Sequence, residues 1–456
     1  MKNPVNFCTN SRRQFLKTAG MISAGLGTFN VLSVNRAAHA VGSDEIKIAL
    51  IGCGGRGLGS VFDRFAVGDN VKLVALADVI HETAIRAADR LRKDERTKGK
   101  LDLPVDHIFG GFNAYKNAVD LADLVLVVSP PAFHPDHYLY AVEKGKHVFV
   151  EKPFGVDAEG YRRSMKANKI AEEKNLTVCG GFQRRHEKNY QEWIEQIHHG
   201  YIGDIIATRV YWNGAGAKIR GVRGDGEPEI RFQVRDWYFF NWLSGDHLLE
   251  QHCHNIDVGN WIHGKGDPLV HPISCIGLGG RQARKTPFVP YNECGNLFDH
   301  HYVEYQFADG TIMHSQCRQI PGCWNRVTEK IQGTKGSGET NWLKPNDSDR
   351  WEVPKRDGRR SGYVQEHIDQ TEAIRNGNKL HDGWHSATST MTAVMGWMAT
   401  YSGREITWNE AVEKGKTLFP YDQELTFDTL APILPGTDGT YEHAVAIPGR
   451  YNPFDS

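Results

Sequence analysis

The stretch that decides the fold is Ile46-Lys47-Ile48-Ala49-Leu50-Ile51-Gly52-Cys53-Gly54-Gly55-Arg56-Gly57. Residues 46–51 form an apolar run of strand length, the pattern of a parallel strand buried on both faces. The glycines that follow have G-x-G-x-x-G spacing, directly between that strand and a helical pattern reaching to about Ala66. Each has a physical task. Gly52 permits a tight turn, Gly54 lets the backbone approach a pyrophosphate, and Gly57 lets the helix pack closely on the strand. Gly55 and Arg56 open the helix, whose N-terminus offers unpaired N–H groups and partial positive charge to an anion.

Asp78 closes a second apolar run, Val71–Ala77, and stands 21 residues after Gly57. A carboxylate there accepts hydrogen bonds from a ribose diol and repels a 2′-phosphate, so NAD is expected over NADP. Asp78 also reads as a cap or loop residue, and Arg56 as a second phosphate contact. Further outward, strands are expected at 124–128, 147–150 and 176–179, and helices at 81–95, 136–144 and 157–174. Strands alternating with helices imply a Rossmann-type, doubly wound parallel sheet. Ligands lie at the C-terminal ends of such strands. That puts Ser129 and Pro130 with the nearby His134, and Glu151 with Lys152, at the cofactor cleft. An ammonium at Lys152 would sit near the nicotinamide, where it can stabilise alkoxide charge on a substrate oxygen.

After about residue 180 the pattern changes. Ile205–Trp212 and His301–Phe307 alternate as half-exposed strands, and Asp309-Gly310 is a hairpin dipeptide leading into Thr311–Gln316. The expected fold class is therefore α/β: a doubly wound parallel sheet over 44–180, then an α+β domain over 181–456 with a large, mainly antiparallel sheet. Residues 213–230 and 333–362 read as long loops, and 363–377 and 386–401 as helices. The tail from about Pro435 reads as wrapping the surface.

The glycine loop followed by Glu151-Lys152-Pro153, then Tyr201-Ile202-Gly203-Asp204-Ile205, then Ser244-Gly245-Asp246 with Glu250 and His254, resembles the Gfo/Idh/MocA family of glucose-fructose oxidoreductases and inositol dehydrogenases. The likeness runs over roughly 45–420. It implies that Glu250 and His254 line a catalytic cleft, with His254 as general base. A neutral imidazole suits removal of a hydroxyl proton. Glu250 stands where the family usually has Asp, and would orient the ring or bind another hydroxyl. The resemblance also implies a homo-oligomer formed through the C-terminal sheet.

His247, Glu250, His252 and His254 also invite a metal reading. His252 and His254 are two apart, so one helix does not aim both at a single ion, and no metal is expected. Caps and buried hydrogen bonds are the remaining alternative. Arg184, Arg235, Trp237 and His252 are further candidates for the substrate pocket.

Ser11-Arg12-Arg13-Gln14-Phe15-Leu16-Lys17, a weakly apolar stretch to about Val34, and Ala38-His39-Ala40 together read as a twin-arginine signal peptide over 1–40. Export to the periplasm follows, with a mature chain starting near Val41 and no stable membrane insertion. The formal net charge of −1 lacks the basic footprint of a nucleic-acid partner. A chain that folds before export meets a reducing compartment first, so Cys53, Cys179, Cys253, Cys275, Cys294, Cys317 and Cys323 are expected as mostly free, buried thiols. Pairing of Cys317 with Cys323 stays open. The expected activity is oxidation of a CH–OH group of a sugar, glycoside or polyol, with NAD tightly held and recycled in place. A redox-cycling glycoside hydrolase and a non-catalytic sugar- or dinucleotide-binding protein are the alternatives.

Overall fold

The computed structural model describes residues 45–454, except 69, 217–222, 283–294 and 356–359. The signal-peptide reading over 1–40 and Cys294 lie outside the described residues. Strands β1 (Ile46–Ile51), β2 (Val71–Asp78), β3 (Ile108–Gly110), β4 (Leu124–Val127), β5 (His147–Val150) and β6 (Val178–Gly180) form a six-stranded parallel sheet. Its order is β3-β2-β1-β4-β5-β6, so the chain starts in the middle and winds outward twice. Helices α1 (Gly55–Phe65), α2 (His81–Lys93), α3 (Ala114–Leu121), α4 (His134–Glu143) and α5 (Ala158–Glu173) make the crossovers. The strands are buried almost throughout, because helices cover both faces of a parallel sheet.

The second sheet has nine strands. Helix α6 (Lys188–His198) leads to β7 (Ile205–Gly214), and short helices α7 (Glu229–Arg235), α8 (Asn241–Ser244) and α9 (His247–Glu250) lead to α10 (Cys253–Gly264). Then come β8 (Ser274–Gly280), β9 (His300–Gln306), β10 (Ile312–Gln319), β11 (Arg326–Gly333), β12 (Gly336–Glu339), β13 (Trp342–Pro345) and β14 (Trp351–Glu352). Strand β9 alternates buried and exposed residues, as a sheet with one packed face does. All pairings are antiparallel except β7 with β10. Strands β12 to β14 correct the expectation of a continuous loop over 333–362. Their Gly-rich and Pro-containing sequence hides short strands that exist through pairing, β12 to β11, β13 to β12 and β14 to β13, rather than through local propensity.

The chain then returns to the parallel sheet. In α11 (Gly362–Asn376) the His367 carbonyl, Thr371 Oγ1 and Gln370 Oε1 accept hydrogen bonds from Arg64 of α1. Val178 of β6 donates to the Leu380 carbonyl. Helix α12 (Gly383–Ser402) is buried along nearly its whole length, which explains its lack of an exposed polar face. It leads into β15 (Ile406–Thr407) and α13 (Trp408–Lys414). No helix among the described residues is long and apolar enough to cross a membrane. Cys53, Cys179, Cys253, Cys275 and Cys317 are free and buried, and Cys323 is free and exposed.

Candidate active site

The C-terminal ends of the parallel strands meet at one edge, with the glycine loop at the centre. Gly52 has φ +92°, and a Cβ there would stand 2.4 Å from the Val128 carbonyl oxygen. A Cβ at Gly57 would stand 1.9 Å from the Gly52 carbonyl oxygen, so only glycine lets α1 seat against β1. Gly54 and Gly55 differ, because a Cβ at either meets nothing within 4 Å. They face open space at the N-terminus of α1, which no side chain caps, so its first-turn N–H groups are available to an anion. The cleft in front of them holds about 340 Å³ and is lined by Asp78, Ile80, Thr83, Phe112, Tyr115, Ser129 and Pro130, among others. A backbone cradle with uncovered donors, opening into a cleft, fits a dinucleotide.

Asp78 does two things at once. Its carboxylate accepts the Cys53 N–H at 2.8 Å and the Ile80 N–H at 2.9 Å, which braces the glycine loop and the start of α2. The same side chain lines the cleft. Arg56 is tied down. Its Nε donates to Glu151 Oε1 at 2.5 Å, its Nη1 to Asp63 Oδ2 at 2.9 Å, and its guanidinium stacks on Tyr363. These carboxylates hold the guanidinium in place at the cleft wall. Glu151 accordingly anchors Arg56 and its neighbour's N–H. His134 lines the adjoining cavity, but its ring nitrogens sit 2.6 Å from the Ser129 carbonyl and 2.7 Å from the Pro153 carbonyl. It ties two strand-end loops together, and its expected direct role toward the cofactor is reduced to shaping the wall.

A second cavity of about 290 Å³ shares Arg56, Val128, Ser129 and Trp237 with the first, so the two adjoin. Lys152, Glu250, Gln251, His254, Trp212 and Tyr363 line it. Lys152 Nζ donates to Glu250 Oε1 at 2.9 Å and to the Glu250 carbonyl at 2.5 Å. Two of three ammonium protons are thereby engaged, and one is left for a substrate oxygen. Burial works against the Lys152 charge, but the Glu250 and Glu151 carboxylates outweigh it and hold the ammonium above the usual lysine range.

His254 is fixed by rings, not by a carboxylate. It stacks on Trp212 at 5.9 Å and meets Phe182 edge-on at 5.9 Å. Its Nδ1 is buried without a hydrogen-bond partner, so Nε2 is the nitrogen that faces the cleft. Burial, with the nearby Lys152 and Arg184 charges, holds its pKa well below the usual histidine value, and the imidazole is neutral. Glu250 therefore binds Lys152 and does not orient the His254 ring, as the resemblance had allowed.

Three expected substrate residues are redirected. Arg184 is buried and pairs with Glu329 Oε1 at 2.5 Å, behind the cleft wall. His252 is fully buried and bonds Ser315 Oγ at 2.8 Å, because the helix breaks between α9 and α10 and turns this ring toward β10. Arg235 lines the dinucleotide cleft instead and pairs with Glu227. Trp237 lines both cavities. His247 points elsewhere again, into a buried group with Asp246 and His301. Of the four metal candidates of this segment, Glu250 and His254 share the cavity, whereas His247 and His252 are turned into the interior. Sequence reasoning missed Gln251, Trp212 and Tyr363. Gln251 adjoins Glu250 in the chain, but Trp212 and Tyr363 arrive from a strand end and a distant helix with no motif to announce them.

A family model described as an oxidoreductase family with NAD-binding Rossmann fold matches residues 46–182. A glycosyl hydrolase family 109 protein of Solibacter usitatus is 31% identical over 148 residues, 31% of this chain and 33% of that protein. An inositol 2-dehydrogenase/D-chiro-inositol 3-dehydrogenase of Halalkalibacterium halodurans is 38% identical over 145 residues, 32% of this chain and 35% of that protein. The chain thus spans about a third of the length of these curated relatives. The solved scyllo-inositol dehydrogenase of Lactobacillus casei with bound NAD(H) and scyllo-inositol superposes with a TM-score of 0.58 at 21% identity, covering 80% of this chain and 99% of that one. Over residues 46–182, therefore, the chain carries the NAD-binding Rossmann fold of an oxidoreductase family, within a two-sheet fold shared with that solved dehydrogenase.

Proposed function

We propose that the protein is an NAD-dependent oxidoreductase acting on a CH–OH group of a sugar, glycoside or polyol, with its cofactor held tightly and recycled within the site. One observation carries the reading. A lysine with one ammonium proton in reserve and a neutral histidine with Nε2 exposed line a single cavity that adjoins the glycine-loop cleft. When bound, NAD supplies the two-electron acceptor. His254 Nε2 takes the hydroxyl proton, and the remaining Lys152 proton stabilises charge on that oxygen as it becomes a carbonyl. Trp212 and Trp237 offer aromatic faces to a ring substrate.

A second reading, a hydrolase that uses NAD catalytically with no net redox change, is favoured by the family 109 relatives. The match covers the cofactor-binding third, which serves both chemistries equally. Residues 1–40 support export by the twin-arginine route to the periplasm, where no free NAD pool is expected. A cofactor restored within each cycle suits that setting. The outer face of the nine-stranded sheet exposes Leu278 and Ile276 beside Tyr211 and Tyr302, which supports a homo-oligomer through this face. Denaturing the purified mature protein and identifying released dinucleotide by mass tests the central reading. Near-stoichiometric NAD or NADH is expected, and a protein that is empty and also fails to bind added NAD overturns it. Product analysis then separates the two chemistries, since released aglycone with unoxidised sugar marks the hydrolase.

A further inference from the structure

Gln251 stands in the break between α9 and α10, between Glu250 and His254 in the chain, and lines the same cavity as both. Its side chain is not loose. Gln319 Nε2, at the inner end of β10, donates to Gln251 Oε1 at 2.9 Å and to the Tyr238 hydroxyl at 2.5 Å. Gln319 is itself buried, and packs so closely under Gly216 that a Cβ there would stand 3.1 Å from its own Cβ. The carbonyl end of Gln251 is thus anchored in the wall. Its Nε2 has no hydrogen-bond acceptor among the described residues and is not among the buried unpartnered atoms, so it faces the cavity. A fixed primary amide there presents two donor protons at no cost in reorganisation.

We propose that Gln251 is a specificity-determining residue that donates from Nε2 to an oxygen substituent beside the reacting carbinol, with Gln319 and Tyr238 as its positioning residues. This rests on the oxidoreductase reading above. Lys152 and His254 handle the reacting oxygen, and Gln251 reads a neighbouring one. A neutral donor there accepts a hydroxyl, ether or acyl oxygen, and discriminates against an ammonium or a bare methylene at that position.

The test uses the mature enzyme with its own bound cofactor and a dye acceptor that reoxidises bound NADH after each turnover, and follows reduction of the dye. The probes are methyl β-D-glucopyranoside, its mono-deoxy analogues, myo-inositol and scyllo-inositol. For the probe that reacts, Gln251→Ala is expected to raise KM about tenfold with little change in kcat, the effect of losing one neutral hydrogen bond. Tyr238→Phe is expected to move KM in the same direction by about threefold. If the glucoside reacts, one deoxy analogue at a non-reacting carbon should lose about tenfold in kcat/KM with the wild type and nothing further with Gln251→Ala. If an inositol alone reacts, its mono-deoxy derivative takes that place. Bound NAD and Tm should match the wild type, which separates this role from a structural one. An unchanged KM in Gln251→Ala, or equal losses on the deoxy analogue in both proteins, overturns the inference while leaving the oxidoreductase reading standing. A cofactor-loaded wild type that reacts with none of the probes goes against that reading, and the inference falls with it.

Discussion

The two cavities lie side by side but are built from different materials. The dinucleotide cleft is centred on backbone: a glycine turn, uncapped helix N–H groups and the ends of parallel strands, all within a third of the chain, with Arg235 and Trp237 reaching in from beyond it. The substrate cavity is made of side chains from α1, the loops after β4 and β5, β7, the α9–α10 segment and α11, brought together from positions 56 to 363. A backbone-built site tolerates change in side-chain chemistry but not in volume. A site built from side chains tolerates neither, since each member depends on another element for its place.

Lys152→Ala strikes the side-chain half hardest. It removes the polarising proton and leaves Glu250 without its cation, so kcat should fall about 10³-fold while bound NAD remains near stoichiometric. Loss of the cofactor together with activity would show that the two halves are not separable in this way. Gly52→Ala attacks the backbone half. At φ +92°, with the Val128 carbonyl 2.4 Å from the added Cβ, it should cost about 3 kcal/mol or more in urea unfolding and abolish NAD retention.

Acid should act chiefly through buried imidazoles. Burial lowers His137 to about 3 and holds His252, His254 and His367 below the ordinary histidine value. The unfolded chain therefore binds more protons below about pH 6.5, and stability falls as pH drops. A group such as His137 loses about 2 kcal/mol by pH 5. His186, between Asp369 and Asp382 and raised above the ordinary value, works the other way: its contribution is present below about 6.5 and is lost as pH rises through its folded pKa. Urea midpoints at pH 7 and pH 5 measure the balance, and a net loss at pH 5 is expected. Because His254 stays neutral, kcat/KM should hold below pH 6.5, where an ordinary histidine base would titrate.

The mildest change sharpens the comparison most. Gly54→Ala meets no atom within 4 Å, so the fold should be unaffected to within about 0.5 kcal/mol. Dinucleotide affinity should still drop about tenfold, because the added methyl enters the space that the pyrophosphate needs. Equilibrium unfolding and NAD titration of the same variant read the two quantities apart.

By itself the sequence determined the parallel sheet, the glycine turn and the positions of Lys152, Glu250 and His254, because period, glycine spacing and strand ends are local properties of the chain. Tertiary structure alone decided what those residues do. It paired Arg56 with Glu151, gave Glu250 to Lys152 rather than to His254, and turned His252 and Arg184 into the interior. It drew strands out of 336–352 by pairing, and brought Trp212, Tyr363 and the Gln319-anchored Gln251 to the cavity. A side chain's partner depends on which distant element packs against it, and packing is settled only when the whole chain has closed.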